Sequence, residues 1–323
     1  MRRQPSARPL RLLAALAAVA LLGSGCGWAQ AQARARGLDD GRPLVVTTIS
    51  ILADLTREVA GDHVVVESLV EIGGDPHTYE PVPSDAGKIS DADLILRNGL
   101  GLEHWLDTLI DASSVPRPVA TVTDGIEPLT IAGTGSDPDP HLWMDPVAVR
   151  RYVEAISSAL SDLDPANAQD FRRNARRYIR RLDRLDTFVA AQLATIPAAQ
   201  RRLVTTHDAF RYFGQRYGLQ VVGTIWSVST EREPSATEVA ALVDAVRSQG
   251  VPAVFVETTI NPDLMEQVAR DAGVGVGPPL YGDSLGAPGS GADTYLRMMR
   301  ANTAALVIGL GGGGGSPGRS AQS

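Results

Sequence analysis

The sequence predicts an α/β protein of two lobes, each a parallel sheet flanked by helices, joined by one long rigid α-helix. Three observations carry this. Short β-rich runs alternate with helical patterns in the first half of the chain, and the same rhythm returns in the second half. Between the halves, residues 165–195 place apolar side chains at three- and four-residue steps without a break. The stretch holding all of this is about 265 residues, large for one core and well suited to two lobes.

In the first half, strands are expected at 44–50, 63–70 and 93–98, with helices at 52–60, 101–112 and 146–163. In the second, strands at 203–206, 220–225, 253–257 and 274–281 alternate with helices at 208–217, 235–249, 263–272 and 293–308. Such alternation makes the sheets parallel, and parallel sheets bind ligands outside the carboxyl ends of their strands. Asp164 is a good N-cap for the long helix, Pro165 a good first residue, and Ile196-Pro197 ends it. Phe171, Ala175, Tyr178, Leu182, Leu185, Val189 and Leu193 form its apolar stripe. At ~1.5 Å per residue it reaches roughly 45 Å, enough to act as a strut across two lobes. Arginines from Arg172 to Arg184 crowd its other faces; in an acidic protein they read as a solvated surface rather than a nucleic-acid or membrane site.

The N-terminus reads as an export signal over residues 1–31. Arg2, Arg3, Arg8 and Arg11 precede an apolar run at 12–22 that is too short to span a bilayer. Leu21-Leu22-Gly23-Ser24-Gly25-Cys26 resembles a lipobox, which would make Cys26 an acylated N-terminus; Ala29-Gln30-Ala31 offers ordinary cleavage instead. Cys26 is the single cysteine, so neither a disulfide framework nor a multi-thiolate zinc site can form. Removing residues 1–25 takes away four arginines and no acids, moving the net charge from −7 to −11. That acidity argues against nucleic acid as a partner and is compatible with a cationic ligand.

Four polar residues each sit near the end of a separate apolar segment: His77, His141, His207 and Asp283. Three imidazoles and one carboxylate suffice for a tetrahedral shell around a divalent transition metal. His77 follows a Gly-Gly-Asp-Pro turn, which holds it in a fixed loop. His141 lies between an Asp/Pro-rich stretch and a helix entry, where Asp145 either caps the helix or orients the imidazole. His207 and Asp283 follow expected strands, the preferred ligand position in a parallel sheet. Glu80, Asp145 and Glu257 are candidates to support the ligands from behind. The other histidines, His63 and His104, are expected to be structural.

The segments Gly74-Asp-Pro-His-Thr-Tyr-Glu-Pro-Val-Pro-Ser-Asp85, Asp139-Pro-His-Leu-Trp-Met-Asp-Pro146, Thr206-His-Asp-Ala-Phe-Arg-Tyr-Phe213 and Tyr281-Gly-Asp-Ser-Leu285 resemble the four ligand motifs of one family. These are the zinc/manganese solute-binding proteins of ABC transporters, the ZnuA/TroA-like cluster A-I. The similarity continues through Asn98-Gly-Leu-Gly-Leu-Glu103, the long helix and Ser229-Thr-Glu-Arg-Glu-Pro-Ser235. The resemblance implies a metal site in the cleft between the lobes, with His77 and His141 from one lobe and His207 and Asp283 from the other. It implies an extracytoplasmic carrier that hands its cargo to an ABC permease, working as a monomer and catalysing no reaction. The chain then divides into a signal peptide at 1–31, a spacer at 32–42, an N-terminal metal-binding lobe at 43–163, a linking helix at 164–196, a C-terminal metal-binding lobe at 197–310 and a disordered glycine-rich tail at 311–323.

Manganese members of the family typically carry Glu where this chain has His207, so the three-imidazole shell points to Zn2+, with Mn2+ as the alternative cargo. Many zinc members have a His-rich loop before the second motif; residues 132–140 contain no histidine, which removes that auxiliary capture. Two other classes compete. A zinc hydrolase could use the same donors if one position stayed open to water, but no His-Glu-x-x-His motif is present. A surface adhesin, as some relatives were first described, would leave the ligand set unexplained.

Overall fold

The computed structural model describes residues 41–113, 116–131 and 137–312. The signal, Cys26, most of the spacer and the tail from residue 313 lie outside the described residues. Within them, the first lobe holds strands β1 (Leu44–Thr47), β2 (Val65–Ser68), β3 (Leu94–Arg97) and β4 (Val119–Thr121), all parallel, in the order β2-β1-β3-β4. Helices α1 (Ser50–Ala60), α2 (Pro83–Asp91), α3 (His104–Ala112) and α4 (Val149–Leu163) belong to the same half of the chain.

Helix α5 (Ala168–Leu193) connects to the second lobe, whose strands are β5 (Arg202–Thr205), β6 (Gln220–Thr224), β7 (Ala253–Val254) and β8 (Gly275–Val276). Helices α6 (Arg211–Tyr217), α7 (Ala236–Gln249), α8 (Asp263–Ala272) and α9 (Tyr295–Gly309) alternate with and follow them. Strands pair in parallel as β5-β6 and β7-β8, and the Phe255 N–H donates to Val204 O at 2.9 Å, joining the two pairs. The resulting order, β6-β5-β7-β8, repeats that of the first lobe.

The long helix is shorter than expected at its start. Residues 165–167 form a 3-10 turn, in which the Asp164 side chain accepts the Asn167 N–H, and the α-helix then runs 26 residues, ~39 Å. Its stripe is buried and packs against α1, α4 and α9. One continuous core therefore runs from Val45 through Tyr178 and Leu182 to Leu310. Leu182 has no exposure. Replacing it with alanine is expected to cost about 2–5 kcal/mol of stability, measured by denaturant unfolding, because a packed core refills a cavity poorly. The arginines stay on the exposed faces, with Arg173 paired to Asp170 and Arg181 to Glu58.

Two expected strands are interrupted. Segments 253–257 and 274–281 run side by side, but the ladder covers two residues and resumes only at the Glu257–Leu280 bridge. Pro278 and Pro279 supply no N–H to continue it. Helix α2 and strand β4 were not anticipated. Helix α2 begins at Pro83, and Asp85 accepts the Val82 N–H at 2.9 Å.

Candidate metal centre

Both ligand candidates of the first lobe are presented by the same tripeptide, Asp-Pro-His. In each, the aspartate Oδ1 accepts the backbone N–H of the histidine two residues on, at 2.9 Å in Asp75-Pro76-His77 and 3.0 Å in Asp139-Pro140-His141. Proline fixes its own φ and the aspartate closes the turn, so each imidazole leaves a stiff corner. The Trp105 indole N–H holds Pro76 O, and the Asn98 amide N–H holds Pro140 O. His207 comes two residues after β5 and Glu257 three residues after β7, just beyond the carboxyl ends of two parallel-paired strands.

The structure brings His77, His141, His207 and Asp283 together, all four buried, with one ligand atom from each within 4.8 Å of all the others. Their Nε2 atoms converge: His77 to His141 is 3.2 Å and His207 to His141 is 3.4 Å. Asp283 stands 3.1 Å from His207 Nε2, 3.5 Å from His141 Nε2 and 3.7 Å from His77 Nε2. Ligands ~2.0–2.1 Å from a tetrahedral centre lie roughly 3.3–3.4 Å apart, so this spacing suits a small divalent cation. Both Asp283 oxygens are buried and accept no hydrogen bond of good geometry, which is costly unless a cation faces them.

The imidazoles are held from behind. Asp139 Oδ1 is 2.9 Å from His141 Nδ1, and Glu257 Oε2 is 2.8 Å from His207 Nδ1 while Oε1 accepts the His207 N–H. With each Nδ1 against a carboxylate, Nε2 is left to face the centre. Gly282 is required between these groups, because a Cβ there would fall 2.2 Å from Glu257 Oε2. Its carbonyl accepts the Trp143 indole N–H at 2.9 Å, tying the Asp283 turn to the first lobe.

Of the three expected supports, Glu257 lies against a ligand and the other two do not. Asp145 is corrected: its Oδ1 accepts the Val147 N–H at 2.8 Å in the turn leading to α4 and pairs with Arg216 at 3.2 Å, so it serves the helix entry and the lobe contact. Asp139 takes the role on His141 instead. The repeated Asp-Pro-His was the signal that could have found it. Glu80 is exposed, and no bond from it to the buried four is among those described. His63 pairs with Asp170 at 3.0 Å and His104 with Glu231 at 3.1 Å, both outside the cluster.

Charge follows the geometry. Burial alone would lower the His207 pKa, but the Asp283 and Glu257 carboxylates outweigh it and raise it well above 6.5. Burial drives His77 down to about 3. Burial opposes ionisation of Asp283, yet the three imidazoles, His207 foremost, hold its carboxyl below the usual carboxylate range. The centre is thus anionic at its carboxylates and rich in nitrogen donors. His77 borders a cavity of about 340 Å3, which Leu100, Asp137 and 227–229 also line.

The sequence model of the family described as "Zinc-uptake complex component A periplasmic" (ZnuA) matches residues 45–309. The chain belongs to the ZnuA family. ZnuA-type relatives include the manganese-binding lipoprotein MntA of Halalkalibacterium halodurans, 40% identical over 294 residues, 90% of this chain and 95% of that protein. The iron-binding protein YfeA of Yersinia pestis is 38% identical over 83% of this chain and 86% of that one. Among solved structures, the periplasmic zinc-binding protein TroA from Treponema pallidum matches with a TM-score of 0.79 at 33% identity, covering 83% of this chain and 99% of that chain. The ZnuA-family architecture, two α/β lobes with a long helix and a buried His/Asp group between them, is the one described above.

Proposed function

We propose that the protein captures one Zn2+ ion outside the cytoplasmic membrane and delivers it to an ABC permease, with His77, His141, His207 and Asp283 as the ligands. Membership of the family makes the chain an extracytoplasmic metal-binding protein of an ABC importer, and not an enzyme. No described helix is long and apolar enough to cross a membrane. The proposal includes a lipid anchor at Cys26, a monomer as the working form, and lobes at 43–163 and 197–310 around the 164–196 helix.

The observation that carries the site is the convergence of three Nε2 atoms on one orphaned carboxylate. The metal is argued from the donors. Relatives are named for manganese, iron and zinc alike, so their names do not choose. Imidazole-rich, four-coordinate shells suit Zn2+, whereas Mn2+ favours oxygen and more ligands. Manganese is the second reading, favoured by the 40% identity to MntA. Titrating metal-free protein with Zn2+ and Mn2+ in competition tests both. One Zn2+ per chain is expected, held orders of magnitude more tightly than Mn2+; parity between the two would move the reading to manganese.

A further inference from the structure

Much of what joins the lobes beside the centre is buried: the Ser50 and Ser284 hydroxyls lie 3.3 Å apart, and Trp143 reaches Gly282 O. The edge facing the 340 Å3 cavity is different. There the second lobe contributes residues 225–235, a segment with neither helix nor strand between β6 and α7. Its start is anchored, with the Ile225 and Trp226 N–H groups donating to Thr206 O and the Asp208 N–H to Ser227 O, whereas residues 228–234 make no such bond among those described, so this part of the loop can open locally.

One short bond crosses this edge. The Thr230 hydroxyl donates to Asp75 Oδ2 at 2.6 Å. Asp75 Oδ1 is the acceptor for the His77 N–H, so a single carboxylate links a loop of the second lobe to a ligand of the first. Beside it, His104 Nε2 meets Glu231 Oε1 at 3.1 Å, but both side chains are more than half exposed. An exposed pair of that kind contributes little, whereas a hydroxyl on a carboxylate belongs to the stronger class of hydrogen bonds.

We propose that Thr230 is a positioning residue that closes the site: its hydroxyl fastens the 225–235 loop to Asp75 and through Asp75 fixes His77, so bound metal leaves when this bond opens. The inference rests on the ligand assignment above. It places the exit at the cavity beside His77, and it makes loop opening, not separation of the lobes, the event that governs release.

The experiment follows release of Zn2+ from the loaded protein into excess chelator. Thr230→Val, close in shape but without the hydroxyl, is expected to release zinc about tenfold faster or more. Thr230→Ser keeps the hydroxyl and is expected to release at the wild-type rate, as is Glu231→Gln within about twofold. Thr230→Ala replaces the valine variant if circular dichroism finds the latter misfolded. Unchanged release in the hydroxyl-free variants overturns the proposal, and so does serine releasing as fast as valine, which would assign the effect to the methyl group. A wild-type protein that binds no zinc would discard the ligand assignment itself, whereas a zinc-binding wild type with an indifferent Thr230→Val discards only the clasp.

Discussion

Replacing His207 with alanine is expected to weaken zinc binding by several orders of magnitude and to destabilise the metal-free protein as well. The first effect follows from losing one of four converging donors, which leaves a gap in a shell whose other members are fixed by their own loops. The second follows from charge. His207 stands 3.1 Å from Asp283 and 2.8 Å from Glu257, all without exposed side-chain surface, and when protonated it is the charge opposite both carboxylates. Removing one partner of such a group leaves buried charge uncompensated, at a cost of about 3–5 kcal/mol. Competition titration reads the first effect and urea unfolding of the metal-free protein reads the second. His63→Ala is the control, because His63 pairs with Asp170 at a partly exposed position far from the cluster in role. Wild-type zinc affinity in His207→Ala would remove His207 from the ligand set.

The four candidate ligands each end an apolar run, a weak signal taken singly, and they were legible as a set because their four motifs resemble those of the family. The strut was legible because a 3.6-residue period over many turns admits no other element. What escaped the sequence depends on distance between segments. Asp139 lies two residues before His141 and Asp145 four after it, and only the fold shows which one reaches the ring: Asp139 shares a tight turn with the imidazole, whereas Asp145 faces Arg216 from another element. Helix α2 escaped because the stretch 83–91 buries only Asp85 and Ile89 and so has almost no apolar stripe. Strands β7 and β8 shrank because paired prolines interrupt a run whose composition otherwise reads as extended. The role of Thr230 is invisible in sequence, since its partner Asp75 lies 155 positions away in the other lobe.

Zinc affinity is expected to rise with pH by up to about tenfold per unit around neutrality, with about one proton released per ion bound. The sign comes from His207. Its pKa is raised well above 6.5, because Asp283 and Glu257 outweigh the burial that would lower it. The raised pKa favours the protonated imidazole in the metal-free site, and zinc needs that lone pair, so binding competes with the proton. The other groups named do not add to the count. His77 is driven down to about 3 by burial and is already neutral, and Asp283, kept below the usual carboxylate range, is already ionised. Lowering the pH strengthens the competing proton and weakens the metal; raising it beyond the elevated His207 pKa removes the competition, and the affinity levels off. Calorimetry in buffers of different ionisation enthalpy counts the proton, and affinity measured from about pH 6 to 8 gives the slope. A flat profile with no proton released would mean that His207 enters the complex already neutral.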